Sequence, residues 1–170
     1  MLYAFLLLGL ALLVWLLAQR ARQAAGLPAG RVVYADTRGW GRPEKPLFSS
    51  RLQLTGKPDY LVRVEGSYVP VEVKSGRAPA QGAYAAHIYQ LAAYCALVAE
   101  AYAARPAYGL IKYADKTLAV DYTAGLEREL GAILEDLRAD SEADDVARSH
   151  ESAARCRACG FREVCAEYLD

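Results

Sequence analysis

The stretch that decides the fold is Val69-Pro-Val-Glu-Val-Lys-Ser75. Side chains alternate between the two faces of a strand, so the valines share one face while Glu72 and Lys74 share the other. A carboxylate and an ammonium group therefore lie together on the polar side of an otherwise apolar strand. Such a pair is commonly a solvated salt bridge worth less than about 1 kcal/mol, so its meaning depends on its surroundings.

The segments around this strand predict an α/β fold. Short segments rich in β-branched and aromatic residues are separated by turn residues, which predicts an antiparallel meander before a long Ala-rich helix. Two further strands precede an acidic amphipathic helix, and this order predicts a mixed β-sheet flanked by helices. The predicted strands are 51–55, 59–64, 68–74, 108–113 and 117–122, and the predicted helices are 84–104 and 124–140.

The chain begins with an uncharged apolar run, MLYAFLLLGLALLVWLLA. As a helix this run would be about 27 Å long, close to the roughly 30 Å hydrocarbon core of a bilayer. The first positive charges, Arg20, Arg22 and Arg31, follow the run, so the positive-inside rule places the remainder in the cytoplasm. We therefore expect a single-pass membrane protein with a transmembrane anchor at residues 1–18. A buried N-terminal helix is the alternative.

Composition limits the number of domains. The chain has 170 residues, of which 54% are apolar, and its 20 Lys and Arg balance its 20 Asp and Glu. These values exclude a large multidomain enzyme and a disordered chain. After the anchor we expect a juxtamembrane linker and loop at 19–49, an α/β core at 50–145 and a cysteine-containing tail at 146–170.

Asp59 adds a second carboxylate to the pair on the central strand. It follows Gly56-Lys57-Pro58 at the start of the preceding strand, and a tight hairpin through Gly66 would bring it beside Glu72. Two carboxylates on neighbouring strands form a hard-oxygen site suited to Mg²⁺ or Mn²⁺. Such an ion would polarise a phosphoryl oxygen and activate a water that Lys74 orients. This combination indicates phosphodiester hydrolysis.

The long helix carries a third polar element. His87, Gln90 and Tyr94 stand at i, i+3 and i+7, so they share one face, which we expect to point at the carboxylates and at a nucleic acid strand. A Gln amide can bind a phosphate or a water ligand, and a Tyr ring can stack on a base.

These motifs resemble the PD-(D/E)xK nuclease superfamily, in the combination Gly-Lys-Pro-Asp59, Glu72-Val-Lys74 and Gln90-Leu-Ala-Ala-Tyr94. The Gln-x3-Tyr element narrows the resemblance to the RecB-like branch, which contains the CRISPR-associated exonuclease of the "Cas-four" type. The resemblance implies a restriction-endonuclease-like sheet and a membrane-anchored, Mg²⁺- or Mn²⁺-dependent DNA exonuclease that acts on single strands or ends. It also implies a role for each matching residue. The implied metal ligands are Asp59, Glu72 and the carbonyl of Val73, the implied catalytic lysine is Lys74, and the implied fourth motif is Gln90 with Tyr94.

One departure from the family pattern concerns the metal site. Such nucleases usually carry an upstream His or Glu ligand, and Glu44, in a Pro-rich loop, is the only glutamate before Asp59. His87 would supply a nitrogen ligand or contact a phosphate, with a surface role as the alternative. A catalytically weak nucleic-acid-binding module on the same fold is therefore an alternative function.

The C-terminal tail contains Cys156, Cys159 and Cys165, with His150 six residues before the first. In a cytoplasmic chain this spacing indicates a metal or cluster site rather than disulfides. The resemblance implies a 4Fe-4S cluster, although the only other cysteine, Cys95, lies on the long helix. A Zn²⁺ site completed by His150 is the alternative. A membrane-tethered cysteine-cluster protein in redox sensing or assembly is thus a further possible function.

Basic residues outnumber acidic ones around the predicted site, and the excess indicates a phosphate track whose binding weakens with salt. The acidic stretch 127–145 would repel DNA, so we expect it on the far side of the domain. The residues predicted to bind nucleic acid are Lys57, Arg63, Arg77, Gln90 and Tyr94.

Overall fold

The computed structural model describes residues 31–33, 40–64 and 66–170. The strands are β1 Arg31–Val33, β2 Trp40–Gly41, β3 Leu47–Ser49, β4 Leu54–Gly56, β5 Tyr60–Val64, β6 Ser67–Val73, β7 Tyr108–Lys112 and β8 Thr117–Asp121. The helices are α1 Ala85–Ala101, α2 Ala124–Glu142 and α3 Ala153–Arg157, followed by a 3₁₀ turn at Arg162–Val164. The chain divides into two compact units, Met1–Ile133 and Leu134–Asp170.

The first unit contains a six-stranded mixed sheet with the strand order β1-β8-β7-β6-β5-β2. β6 lies inside this sheet and pairs antiparallel with β5 and parallel with β7. A parallel pair requires a crossover connection, and α1 supplies it between β6 and β7. The predicted α/β fold with a mixed sheet and flanking helices is confirmed for the described part of the chain.

α1 packs against β6 and β7 because most of its side chains are apolar. Its buried residues include Leu91, Cys95 and Val98. Gly109 of β7 permits a close approach, since a Cβ at this position would stand 2.7 Å from the side chain of Leu91. This packing brings the N-terminal half of α1 over the end of β6.

The meander prediction is wrong at its first strand. Residues 50–53 form a turn, and β4 pairs with β3 in a separate two-stranded sheet. The buried Ser49 explains the turn, because its hydroxyl donates to Glu100 Oε2 at 2.5 Å and accepts the N–H of Leu52 at 2.9 Å. The β5–β6 hairpin is as predicted and turns through Gly66, which has a φ of +86°.

The predicted transmembrane anchor, residues 1–18, lies outside the described residues. None of the helices that the structure does describe is long and apolar enough to cross a membrane. α2 is the longest of them at 19 residues, and it carries charged side chains along its length. The structure therefore gives the prediction of a single-pass membrane protein no support, and that part of the fold and localisation predictions is corrected.

Candidate active site

The β5–β6 hairpin places Asp59 and Glu72 on neighbouring strands. Tyr60 lies opposite Val71, so the next positions along the two strands are Asp59 and Glu72. Asp59 is exposed, and its Oδ2 accepts the backbone N–H of Val73 at 2.8 Å. Glu72 is 6% exposed. The hairpin thus places the two acids at neighbouring positions of two paired strands.

Lys74 connects Glu72 to α1. Its Nζ donates to Glu72 Oε1 at 2.8 Å and to Gln90 Oε1 at 2.9 Å. The amide of Gln90 in turn donates from Nε2 to the hydroxyl of Tyr94 at 3.0 Å. The backbone N–H of Lys74 donates to the carbonyl of Lys112 at 2.8 Å, which continues the β6–β7 ladder and fixes the lysine. We call Glu72, Lys74, Gln90 and Tyr94 the polar row.

Tyr94 closes the polar row in a confined position. Burial raises the pKa of its phenol, and the negative charges of Glu72 and Asp59 act in the same direction. Its ring packs against Gly56, where an added Cβ would stand 2.9 Å from Cε1 of the ring. Tyr94 is therefore a protonated, fixed phenol that orients the amide of Gln90.

The donor set of this site fits a divalent ion of the Mg²⁺ or Mn²⁺ type. Asp59 and Glu72 each keep one carboxylate oxygen, Oδ1 and Oε2, that no described residue contacts by a hydrogen bond. The N–H of Val73 points toward β5, and in a strand the carbonyl of the same residue points the same way. The residue opposite is Pro58, which has no N–H, so it cannot donate to this carbonyl. The site therefore offers hard oxygen donors, and Asp59, Glu72 and Val73 would hold the ion.

His87 makes contacts other than those expected of a third ligand. Its Nδ1 lies 2.7 Å from the hydroxyl of Tyr113. Burial lowers the pKa of His87, and the positive charge of Lys74 lowers it further. In the described part of the chain, no group of three His, Cys, Asp or Glu side chains could hold a metal ion. The structure therefore does not gather His87 with Asp59 and Glu72 as three ligands.

The predicted nucleic-acid-binding cations are all exposed. Lys57 donates to the carbonyl of Glu44 at 3.3 Å, and the side chain of Arg77, which is 84% exposed, lies 3.9 Å from Asp115. Arg63 is exposed on β5. These contacts are weak enough for a phosphate to replace them.

Sequence reasoning missed the residues that hold the loop between β6 and α1. Asp115 accepts the N–H of Ala78 at 2.8 Å, and this hydrogen bond lowers the pKa of the Asp115 carboxyl. Lys116 donates to the carbonyl of Pro79 at 3.3 Å. Tyr113 was missed as well. These residues lie on the β7–β8 turn, and no motif or helical spacing links them to the site.

The second unit contains the cysteine tail, and the predicted cluster site is corrected there. Its three cysteines and His150 line one cleft, but Cys156 is buried while Cys159 and Cys165 are exposed. The described residues include no group of such side chains that could hold a metal ion. All three thiols are free. The 4Fe-4S cluster and the Zn²⁺ site inferred from spacing are therefore unsupported, because sequence spacing does not fix the distances between thiols.

The mixed sheet carries two carboxylates and a lysine at the ends of neighbouring strands, together with oxygen donors for a divalent ion. This combination defines the class of metal-dependent phosphodiester hydrolases. The sequence model of the PD-(D/E)XK nuclease superfamily matches residues 5–166. The chain belongs to this superfamily, and the predicted resemblance is confirmed at that level. A search of the curated proteins finds no match.

Proposed function

We propose that the protein is a RecB-like exodeoxyribonuclease that hydrolyses DNA from single-stranded ends with Mg²⁺ or Mn²⁺. The observation that carries this proposal is the polar row. It joins a Gln-x3-Tyr element of α1 to the lysine of a Glu-x-Lys strand through hydrogen bonds of 2.8 to 3.0 Å. The Gln-x3-Tyr element is the feature by which the sequence resembles the RecB-like branch.

Each side chain of the site has a role in this reaction. A bound ion would supply an activated water and polarise the scissile phosphate. Lys74, kept in position by Glu72, orients the attacking water and stabilises the negative charge that develops on the phosphate. Gln90 gives its oxygen to Lys74 and one amide hydrogen to Tyr94, so its second amide hydrogen remains for a phosphate oxygen.

The charge distribution supports an anionic, extended substrate. Exposed cations stand within five residues of Asp59 or Glu72 in the sequence: Lys57, Arg63 and Arg77. Contacts of these cations with phosphates would support binding without sequence specificity, since phosphate contacts carry no sequence information. We expect the affinity for DNA to fall as salt rises, since each phosphate contact releases counterions.

A catalytically weak nucleic-acid-binding module is the second candidate. It is favoured by one observation: among the described residues, no third His, Asp or Glu joins Asp59 and Glu72 in a group that could hold a metal ion. Such a module would bind DNA through the same exposed cations and leave it intact.

A nuclease assay separates the two candidates. Single-stranded oligonucleotides labelled at either end, and a closed single-stranded circle, are incubated with Mg²⁺ or Mn²⁺. We expect degradation of the linear strands only, and a loss of at least about 100-fold in Asp59→Asn and Lys74→Met. Asp121→Asn is the matched control, because it neutralises an exposed carboxylate at the end of β8 and should leave the rate unchanged.

Three outcomes would contradict the proposal. Cleavage of the circle would make the protein an endonuclease. Undiminished cleavage by Lys74→Met would trace the activity to a contaminant. DNA binding without cleavage in either metal would favour the binding module.

A further inference from the structure

A second polar group lies beside the polar row on the same face of α1. His87 stands three residues before Gln90, and its Nδ1 lies 2.7 Å from the hydroxyl of Tyr113. Tyr113 is only 2% exposed, and its hydroxyl oxygen also accepts the backbone N–H of Tyr84 at 3.4 Å. The position of His87 is thus set by a buried phenol at the end of β7.

The contacts of the Tyr113 hydroxyl favour one tautomer of the histidine ring. The oxygen of Tyr113 accepts the N–H of Tyr84, and its single proton can be donated to His87 Nδ1. A neutral imidazole that accepts at Nδ1 carries its own hydrogen at Nε2. In this tautomer His87 presents an Nε2–H donor, and its Nε2 makes no hydrogen bond to a described residue.

The surroundings of this donor suit a nucleotide. Gln90, three residues after His87 on α1, accepts from Lys74 Nζ at 2.9 Å, so a positive charge lies near the ring and an anion is the preferred acceptor. Tyr84 meets His87 edge to face, with ring centroids 5.3 Å apart, and is 56% exposed. An exposed aromatic ring beside a phosphate donor can stack a base of a single strand.

We propose that His87, oriented by Tyr113, donates its Nε2 hydrogen to a phosphate oxygen of the nucleotide next to the scissile bond, whose base stacks on Tyr84. This inference rests on the proposed nuclease function and identifies a positioning site for single-stranded substrate. The competing explanation is structural: the His87–Tyr113 hydrogen bond would then only fix the first turn of α1, whose N-cap residue Tyr84 makes no side-chain cap.

Steady-state kinetics on a single-stranded oligonucleotide distinguish these roles. A hydrogen bond to a charged group is worth about 1.5 to 3 kcal/mol, so His87→Ala should raise KM by about 10-fold or more. The value of kcat should change little, because the contact is equally present in the ground state and the transition state. His87→Gln places an amide N–H near the Nε2 position and should restore much of the lost affinity.

Tyr113→Phe tests the orientation of the ring. It should raise KM when His87 is present and add nothing in the His87→Ala background, since both changes remove the same interaction. Tyr89→Phe is the matched control. Tyr89 lies on the same helix, and its hydroxyl donates to Glu129 at 3.1 Å instead of contacting the polar row. A purely structural role predicts lower melting temperatures with unchanged KM.

The same oligonucleotide is also titrated by fluorescence anisotropy against the Asp59→Asn protein with and without His87→Ala. If binding weakens about 10-fold while the wild type fails to cleave, the nuclease proposal fails, and only the contact of His87 with a phosphate of single-stranded DNA stands. If the wild type cleaves and His87→Ala matches Tyr89→Phe in KM and affinity, this inference alone is overturned. A raised Mg²⁺ requirement at unchanged KM for DNA would assign His87 to the metal and also overturn it.

Discussion

The Glu72–Lys74 ion pair allows a prediction that separates stability from catalysis. The two charged atoms lie 2.8 Å apart, and the side chains are 8% and 24% exposed. At an effective dielectric constant of about 20, their attraction amounts to about 6 kcal/mol before desolvation is counted. Desolvation cancels much of this energy, because both groups must leave water.

Lys74→Met removes one partner and leaves the carboxylate of Glu72 buried without its ammonium group. Breaking a buried pair in this way costs about 3 to 5 kcal/mol, and the partial exposure of Lys74 places the expected loss near about 3 kcal/mol. The double variant Glu72→Gln, Lys74→Met removes both charges, so it should lie within about 1 kcal/mol of the wild type. Both variants should be inactive.

Urea unfolding, followed by far-ultraviolet circular dichroism in metal-free buffer, measures these differences. The slope of free energy against urea should stay constant, so that midpoints report stability directly. Two results would refute the reasoning: a Lys74→Met midpoint equal to that of the wild type, or a double variant less stable than the single one. The first would mean that water already screens the pair, and the second that the hydrogen bonds of the pair matter more than its charges.

Two further predictions concern packing and thiol reactivity. Gly109→Ala should lower the free energy of unfolding by about 1 to 3 kcal/mol, because its Cβ would stand 2.7 Å from a leucine side chain of α1. Gly131 lies in α2, and a Cβ added there would meet nothing within 4 Å, so Gly131→Ala should raise the free energy of unfolding by up to about 1 kcal/mol. Urea titrations in which both variants change the stability in the same direction would contradict this pair of predictions. Cys159 and Cys165 should react with Ellman's reagent in the folded protein, whereas Cys95, whose pKa is raised by burial, should react only on unfolding. Rapid native labelling of Cys95 would show that α1 opens locally.

Local periodicity explains which parts of the site the sequence predicts. The alternation of β6 puts Glu72 and Lys74 on one face, and the i, i+4 spacing of α1 puts Gln90 beside Tyr94. The hairpin adds Asp59, because the turn at Gly66 fixes the register of β5 against β6. In each case the residues that meet are close in sequence or lie in directly paired strands.

The parts that the sequence does not predict depend on distant contacts. Tyr113 meets His87 across 26 residues, and Ser49 meets Glu100 across 51, with no spacing rule to connect them. The turn at 50–53 replaces the first part of a predicted strand because that buried serine satisfies both a backbone N–H and a carboxylate. The predicted metal site of the cysteine tail is unsupported for a related reason, since the spacing of ligands in the sequence does not determine how near to one another their side chains lie.

The end of the β5–β6 ladder links strand pairing to catalysis. Val73 should pair with residue 58, but Pro58 has no N–H to give, so the carbonyl of Val73 is left without its ladder donor. The carboxylate of Asp59 takes the place of the Pro58 carbonyl by accepting the N–H of Val73 at 2.8 Å. Pro58 therefore ends the ladder and leaves the carbonyl of Val73 without a backbone donor, while Asp59 is held by the N–H of the same residue. The positions of the proposed metal ligands thus follow from how the strand pairing ends, before any ion binds.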